Sequence, residues 1–136
     1  MRSFALLLIV IAGCAGPGTV TVGRSADGIQ FEFFYRGHPG NELPSLDVYE
    51  WDGGVRGRTV CKLRVHTVPR DHRVTLTRWI YGRSTEGGDY RVEACEKLLP
   101  NRAYGISGFR MDRRLIWAEF RIADDGTVIP LASNRD

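Results

Sequence analysis

Past residue 18 the chain never sustains an apolar period of three to four residues; short runs rich in β-branched and aromatic side chains recur instead. They cover residues 19–22, 29–35, 46–51, 59–65, 74–81, 90–94, 103–109, 115–122 and 127–129. Turn formers separate them: Asp27-Gly28, His38-Pro39-Gly40, Asp52-Gly53-Gly54, Gly87-Gly88 and Asp125-Gly126. The last of these suits a hairpin between the final two strands. Alternation assigns faces. Cys61, Leu63 and Val65 share one side of their run, with Lys62 and Arg64 on the other, and Ile116, Ala118, Phe120 and Ile122 form a second apolar row. One apolar face per strand is the pattern of two packed antiparallel sheets. At 136 residues the chain has room for one such core, so the expectation is an all-β antiparallel sandwich of about seven to nine short strands.

Within that frame the aromatic residues depend on register. Phe31, Phe33 and Tyr35 share a face, which is read as core, and Phe34 takes the other. Val74, Leu76 and Ile80 form the expected inner row of their run. Trp51, Trp79 and Trp117 then each fall opposite the core face of their strand, as an exposed apolar patch. A slip of one residue would bury them instead.

The segment Leu98-Leu99-Pro100-Asn101-Arg102-Ala103-Tyr104 resembles the L-x-P-x-x-x-Y segment of fibronectin type III and related sandwiches. The resemblance implies an immunoglobulin/fibronectin III-like fold, with the Tyr104 hydroxyl bonding back to the preceding loop. Immunoglobulin domains place their second cysteine two residues after that tyrosine, whereas Cys95 precedes Tyr104 by nine. A bridge to Cys95 is therefore not the usual one between sheets. The run from Trp79 to Asp125-Gly126 also loosely resembles small uncharacterised proteobacterial lipoproteins, a likeness that brings no activity with it.

The N-terminus carries an address. Arg2 precedes a run without polar residues from 4 to 12, followed by Gly13 and Gly16-Pro17-Gly18. Nine residues rise only about 14 Å as a helix, against a bilayer core of roughly 30 Å. A basic start, a short apolar segment and small residues beyond it predict a secretory signal peptide. Ile11-Ala12-Gly13-Cys14 then resembles the lipobox of bacterial lipoproteins. That resemblance implies cleavage between Gly13 and Cys14, and acyl chains on Cys14 as the new first residue. Ala15 in place of Asp resembles the outer-membrane sorting pattern of Gram-negative members. The implied location is the cell envelope, lipid-anchored at the outer membrane and facing the periplasm. The expected organisation is a signal peptide over 1–13, a lipidated N-terminus and short tether over 14–18, the sandwich over 19–131 and a polar tail over 132–136. Of three cysteines, Cys61 and Cys95 remain once Cys14 is used for lipid, and an oxidising compartment predicts a disulfide between them.

Catalytic motifs are sparse. His38, His66 and His72 fit no metal-ligand spacing, and no C-x-x-C accompanies them. Gly105-Ile106-Ser107-Gly108-Phe109 misses the nucleophile elbow at its last position. Asp124 and Asp125 read as a hairpin turn rather than as paired catalytic carboxylates. No catalytic residue, metal or cofactor is expected.

Charge is more informative. The net of +3 is too small for a general nucleic-acid binder, yet it hides an uneven distribution. Between Arg56 and Arg83 lie eight Lys or Arg residues and one acid, Asp71, a local +7 set against a negative remainder. The sequence suggests a basic central pair of strands joined by a loop at 69–73. Arg56, Arg58, Lys62, Arg64, Arg70 and Arg73 are the candidate surface for an anionic envelope component or a protein partner. The other reading is a solvated outer sheet face whose charges pair with neighbouring acids such as Glu93 and Glu119. The expected function is a non-enzymatic binding or structural module of the envelope. Alternatives are an inhibitor or immunity protein acting through a loop at 38–44 or 83–89, and a small hydrolase.

Overall fold

The structure, a computed structural model, describes residues 16–66, 74–85, 89–110 and 112–134. Ten strands and no helix are found among them: β1 Thr19–Ser25, β2 Gly28–Tyr35, β3 His38–Pro39, β4 Ser45–Asp52, β5 Val55–Val65, β6 Arg78–Ile80, β7 Tyr90–Glu93, β8 Arg102–Phe109, β9 Leu115–Ile122 and β10 Val128–Ser133. They form two antiparallel sheets. In the smaller, β2 is flanked by β1 on one side and by β3 and β6, one after the other, on its second edge. The larger runs in the order β10-β9-β8-β4-β5-β7. The expected all-β sandwich is therefore the fold.

All nine expected runs contain strands, with altered limits. Residues 38–40, expected as a turn, instead supply the short β3, which pairs with Phe34 and Tyr35. The run at 74–81 contracts to the three residues of β6, preceded by an isolated bridge between Leu76 and Asn41. That irregular step shifts parity. Leu76 and Trp79, three residues apart, are both buried, and Ile80 is only partly so. Trp79 is thus not on the outer surface: it is a core residue, 1% exposed, stacked on Phe31 with centroids 5.5 Å apart and donating from Nε1 to the Arg83 carbonyl at 2.8 Å. β10 continues through Ser133, past the expected start of the tail, and Asn134 is bonded to the backbone of Trp117 in both directions.

The core lies where the alternation of β2 and β9 places it. Phe31 and Phe33 point inward from the smaller sheet, and Phe31 meets Phe120 of the larger edge-on, with centroids 5.6 Å apart. Tyr104 stands beside Phe120 and its hydroxyl accepts from the Leu99 N–H at 2.9 Å, the back-bond expected from the Leu-Pro-Tyr segment. Cys61, buried on β5, is bonded to Cys95, two residues beyond β7. Both flank the β5–β7 pairing, so the bridge staples one edge of one sheet rather than joining the two.

Candidate functional site

The expected basic surface begins on β5, and the path of this strand decides where its arginines go. From Val48 to Trp51, β4 advances three residues while β5 advances five, from Cys61 back to Arg56. Two extra residues on β5 are two bulges, which bend the strand and redirect its side chains. Val60 therefore joins Cys61 on the buried side, and Arg56 turns over the outward face of the sheet.

Beneath Arg56 lies Tyr49. Its neighbour across β8 is Gly105, and a Cβ there would come within 2.4 Å of the Tyr49 ring. A residue without a side chain is what lets the ring lie flat on the sheet. Arg56 covers the ring with its guanidinium 4.2 Å from the centroid, in cation–π range. Tyr49 is consequently 5% exposed although it sits on the outer face, and burial pushes its hydroxyl above the usual tyrosine range. Trp51, partly buried, packs its ring edge-on against Tyr49.

Asp47 fixes the stack from the side. One of its oxygens accepts from Arg64 Nη2 at 2.7 Å and the other pairs with Arg56 Nη2 at 3.4 Å. Arg56 Nη1 also donates to the buried Ser107 hydroxyl at 3.2 Å. Arg64 donates further to the Leu46 carbonyl at 2.9 Å. Arg58 pairs with Glu50 at 3.2 Å and with Glu96. Lys62 is exposed, opposite Asp47 on one side and Glu93 on the other. Arg56, Lys62 and Arg64 are thus brought together on the outward face around Asp47 of β4 and Glu93 of β7, whereas Arg58 turns to the other side of the sheet, where Glu50 stands next to Tyr104. Arg70 and Arg73 lie outside the described residues, as does Cys14.

The basic pair of strands expected from sequence does not exist. β5 belongs to the larger sheet and β6 to the smaller, where Arg78 stands opposite Glu32 of β2. Chain proximity misled here because a sandwich can send consecutive strands to different sheets. Asp47, Tyr49 and Ser107 were the members that sequence reasoning missed. Gly105 in the middle of an apolar strand was the signal, since a strand glycine often marks the close approach of another group.

The remaining polar suspects fall elsewhere. His38 and His66 are exposed, one in β3 and one just past β5, and His72 lies outside the described residues. Among the described residues no three His, Cys, Asp or Glu side chains gather as a metal site. Ser107 is mid-strand in β8 rather than at a strand-to-helix turn. Asp124 accepts from Asn101, and Asp125 accepts from the Thr127 N–H at 2.9 Å; hydrogen bonds from Thr127 hold the Asp125 carboxyl below its ordinary value. A groove of about 690 Å³ runs along β6 and β2, lined in part by Phe33, Trp79, Arg78 and Thr85. Compared with known protein families, characterised proteins and solved structures, the chain shows no significant match.

Proposed function

We propose that this chain is a lipid-anchored protein of the bacterial cell envelope whose sandwich is a non-enzymatic binding module facing the periplasm. The anchor rests on Ile11-Ala12-Gly13-Cys14 and the apolar segment before it. The binding reading rests on one observation, the Arg56–Tyr49–Gly105 stack clamped by Asp47. Tyr, Trp and Arg held in place by their neighbours are the residue types that dominate protein–protein hot spots, because little side-chain entropy remains to be lost. Arg56 and Arg64 share Asp47, and Lys62 stands between Asp47 and Glu93, so the surface offers both signs of charge at short range. Such a pattern suits a protein partner with complementary charges better than a uniformly anionic polymer.

A fibronectin III/immunoglobulin-like assignment is supported by the Tyr104 back-bond and by strand order. Taking β1, β2 and β6 as strands A, B and E makes β4, β8 and β9 strands C, F and G, with β5 and β7 added beyond C, β10 beyond G and β3 on the edge of β2.

Two measurements test the proposal. Cells supplied with labelled palmitate should incorporate it into the wild-type chain and not into Cys14→Ala; label in the variant, or none in the wild type, would overturn the anchor. Crosslinking on intact membranes should yield one adduct that disappears in Arg56→Glu and persists in Arg102→Glu, a charge reversal off the stack. An adduct indifferent to Arg56 would overturn the binding face.

A further inference from the structure

The hairpin turns of this sandwich sort by charge between its two ends. At one end, the β1–β2 turn carries Asp27, Asp52 closes β4 at the β4–β5 turn, and the β9–β10 turn carries Asp124 and Asp125. Arg24 Nη1 donates to the Gly126 carbonyl at 2.8 Å, which ties the first and last of these turns together. At the other end, the β2–β3 turn carries Arg36, and the β8–β9 turn carries Arg110, Arg113 and Arg114 against a single acid, Asp112. Those two turns also touch. The Arg110 guanidinium lies on the Tyr35 ring at 3.6 Å, joining the ends of the two sheets, and Arg36 reaches the same ring at 5.3 Å.

Among the described residues of these two turns, Asp112 is the one carboxylate. Asp112 is shared by Arg110 at 3.6 Å and Arg114 at 3.8 Å, both beyond hydrogen-bond distance. The Arg110 side chain is only 10% exposed, and its Nε and Nη1 groups have no hydrogen-bond partner. Beside these charges Phe109 and Leu115, paired across β8 and β9, stand 54% and 43% exposed. Arginines around two exposed apolar side chains match a surface with anionic headgroups above a hydrocarbon layer.

The chain itself indicates which surface that is. β1 starts at Thr19 opposite Phe34, next to the Arg36 turn, and the Gly18 carbonyl accepts from Asn134 at the end of β10. The described chain therefore enters at the basic end, with Cys14 only five residues before Thr19. We infer that the Arg36/Arg110–Arg114 end of the sandwich rests on anionic phospholipid headgroups, with Phe109 and Leu115 in contact with the interface. The domain then stands upright, its aspartate-bearing turns farthest from the membrane. The uprightness rests on the anchored reading; the affinity for anionic lipid does not.

The test uses the mature chain from residue 14 carrying Cys14→Ser, so that neither an acyl chain nor the apolar run at 4–12 contributes, floated with vesicles of phosphatidylcholine alone or with phosphatidylglycerol added. Binding should be stronger to the anionic vesicles and fall as salt rises. Replacing Arg36→Asn, Arg113→Asn and Arg114→Gln together should weaken partitioning to anionic vesicles by roughly a hundredfold, three surface charges at about fivefold each. Asparagine tolerates the positive φ of 51° and 66° at positions 36 and 113, and unchanged thermal unfolding would show the fold intact. The control removes as much charge from the far end: Arg24→Gln, Lys97→Gln and Arg102→Gln together should leave partitioning nearly unchanged. Equal losses in both triple variants, or no preference for anionic vesicles, would overturn the proposal. Absence of palmitate labelling would remove the anchor and leave this comparison standing.

Discussion

Tyr49 is the side chain around which the outward face of the larger sheet is organised, and it owes its position to a hydrogen atom on Gly105. Adding a methyl group there forces the ring away and removes the platform under Arg56. Gly105→Ala should destabilise the domain by about 1–3 kcal/mol, as overpacking does. The same change in a Tyr49→Ala background should cost at least about 1 kcal/mol less, because the ring it strikes is gone. Urea unfolding of the four chains checks this; additive losses would mean that the ring and the glycine do not interact. Tyrosine chemistry also sets a pH limit. Burial raises the hydroxyls of Tyr90 and Tyr81 well above the ordinary tyrosine value, and Tyr90 donates to the Leu43 carbonyl at 2.6 Å. Their stabilising contribution is present in full below the unfolded pKa of about 10 and is lost as pH rises past it, since only the unfolded chain can then ionise them freely. Urea midpoints measured from pH 8 to 11 should fall at the alkaline end, and Tyr90→Phe should flatten that fall while costing stability at pH 8.

At the level of elements, regular pairing and irregular pairing differ in how much the sequence discloses. β9 pairs with β8 without interruption, and its alternation gives the right inner row, since Ile116, Ala118, Phe120 and Ile122 are all buried. β5 carries two bulges, and β6 is preceded by a lone bridge at Leu76. A period of two cannot register an inserted residue, so Trp79 was placed on the wrong side and the path of Arg56 could not be seen. Tyr104 was legible for a different reason: its partner, the Leu99 N–H, is five residues away, and local spacing carries that information. The Arg56–Asp47–Ser107 cluster needed three strands brought together from distant parts of the chain. The disulfide shows the same division, with parity and compartment predicting the pair and only the fold showing that it staples one sheet edge. It closes a sequence separation of 34 residues, worth about 3–4 kcal/mol by the chain-entropy estimate. Cys61→Ala/Cys95→Ala should lower stability by about that amount in chemical denaturation, and an unchanged midpoint would mean that the reduced chain loses nothing.

Across the whole molecule, charge and connectivity share an axis. The turns at one end carry aspartates and those at the other carry arginines, while the side of the larger sheet mixes both signs. On the proposed anchored reading, this layout would set the orientation of the domain by its ends and leave its flank accessible, so the proposed membrane and partner contacts need not compete. The net charge of +3 contains none of this, because a sum carries no positions.

The hydrogen bond from Asn134 to Gly18 has a practical side. It brings the last described residues beside the first, so the described domain forms almost a closed circuit. A reporter joined directly after Asn134 would start beside Gly18 and crowd the surface that the arginine turns are proposed to meet. One spliced between Gly53 and Gly54, in the two-residue turn where both glycines adopt positive φ, would stand at the opposite pole, away from the arginine turns though two residues from Trp51 and Arg56.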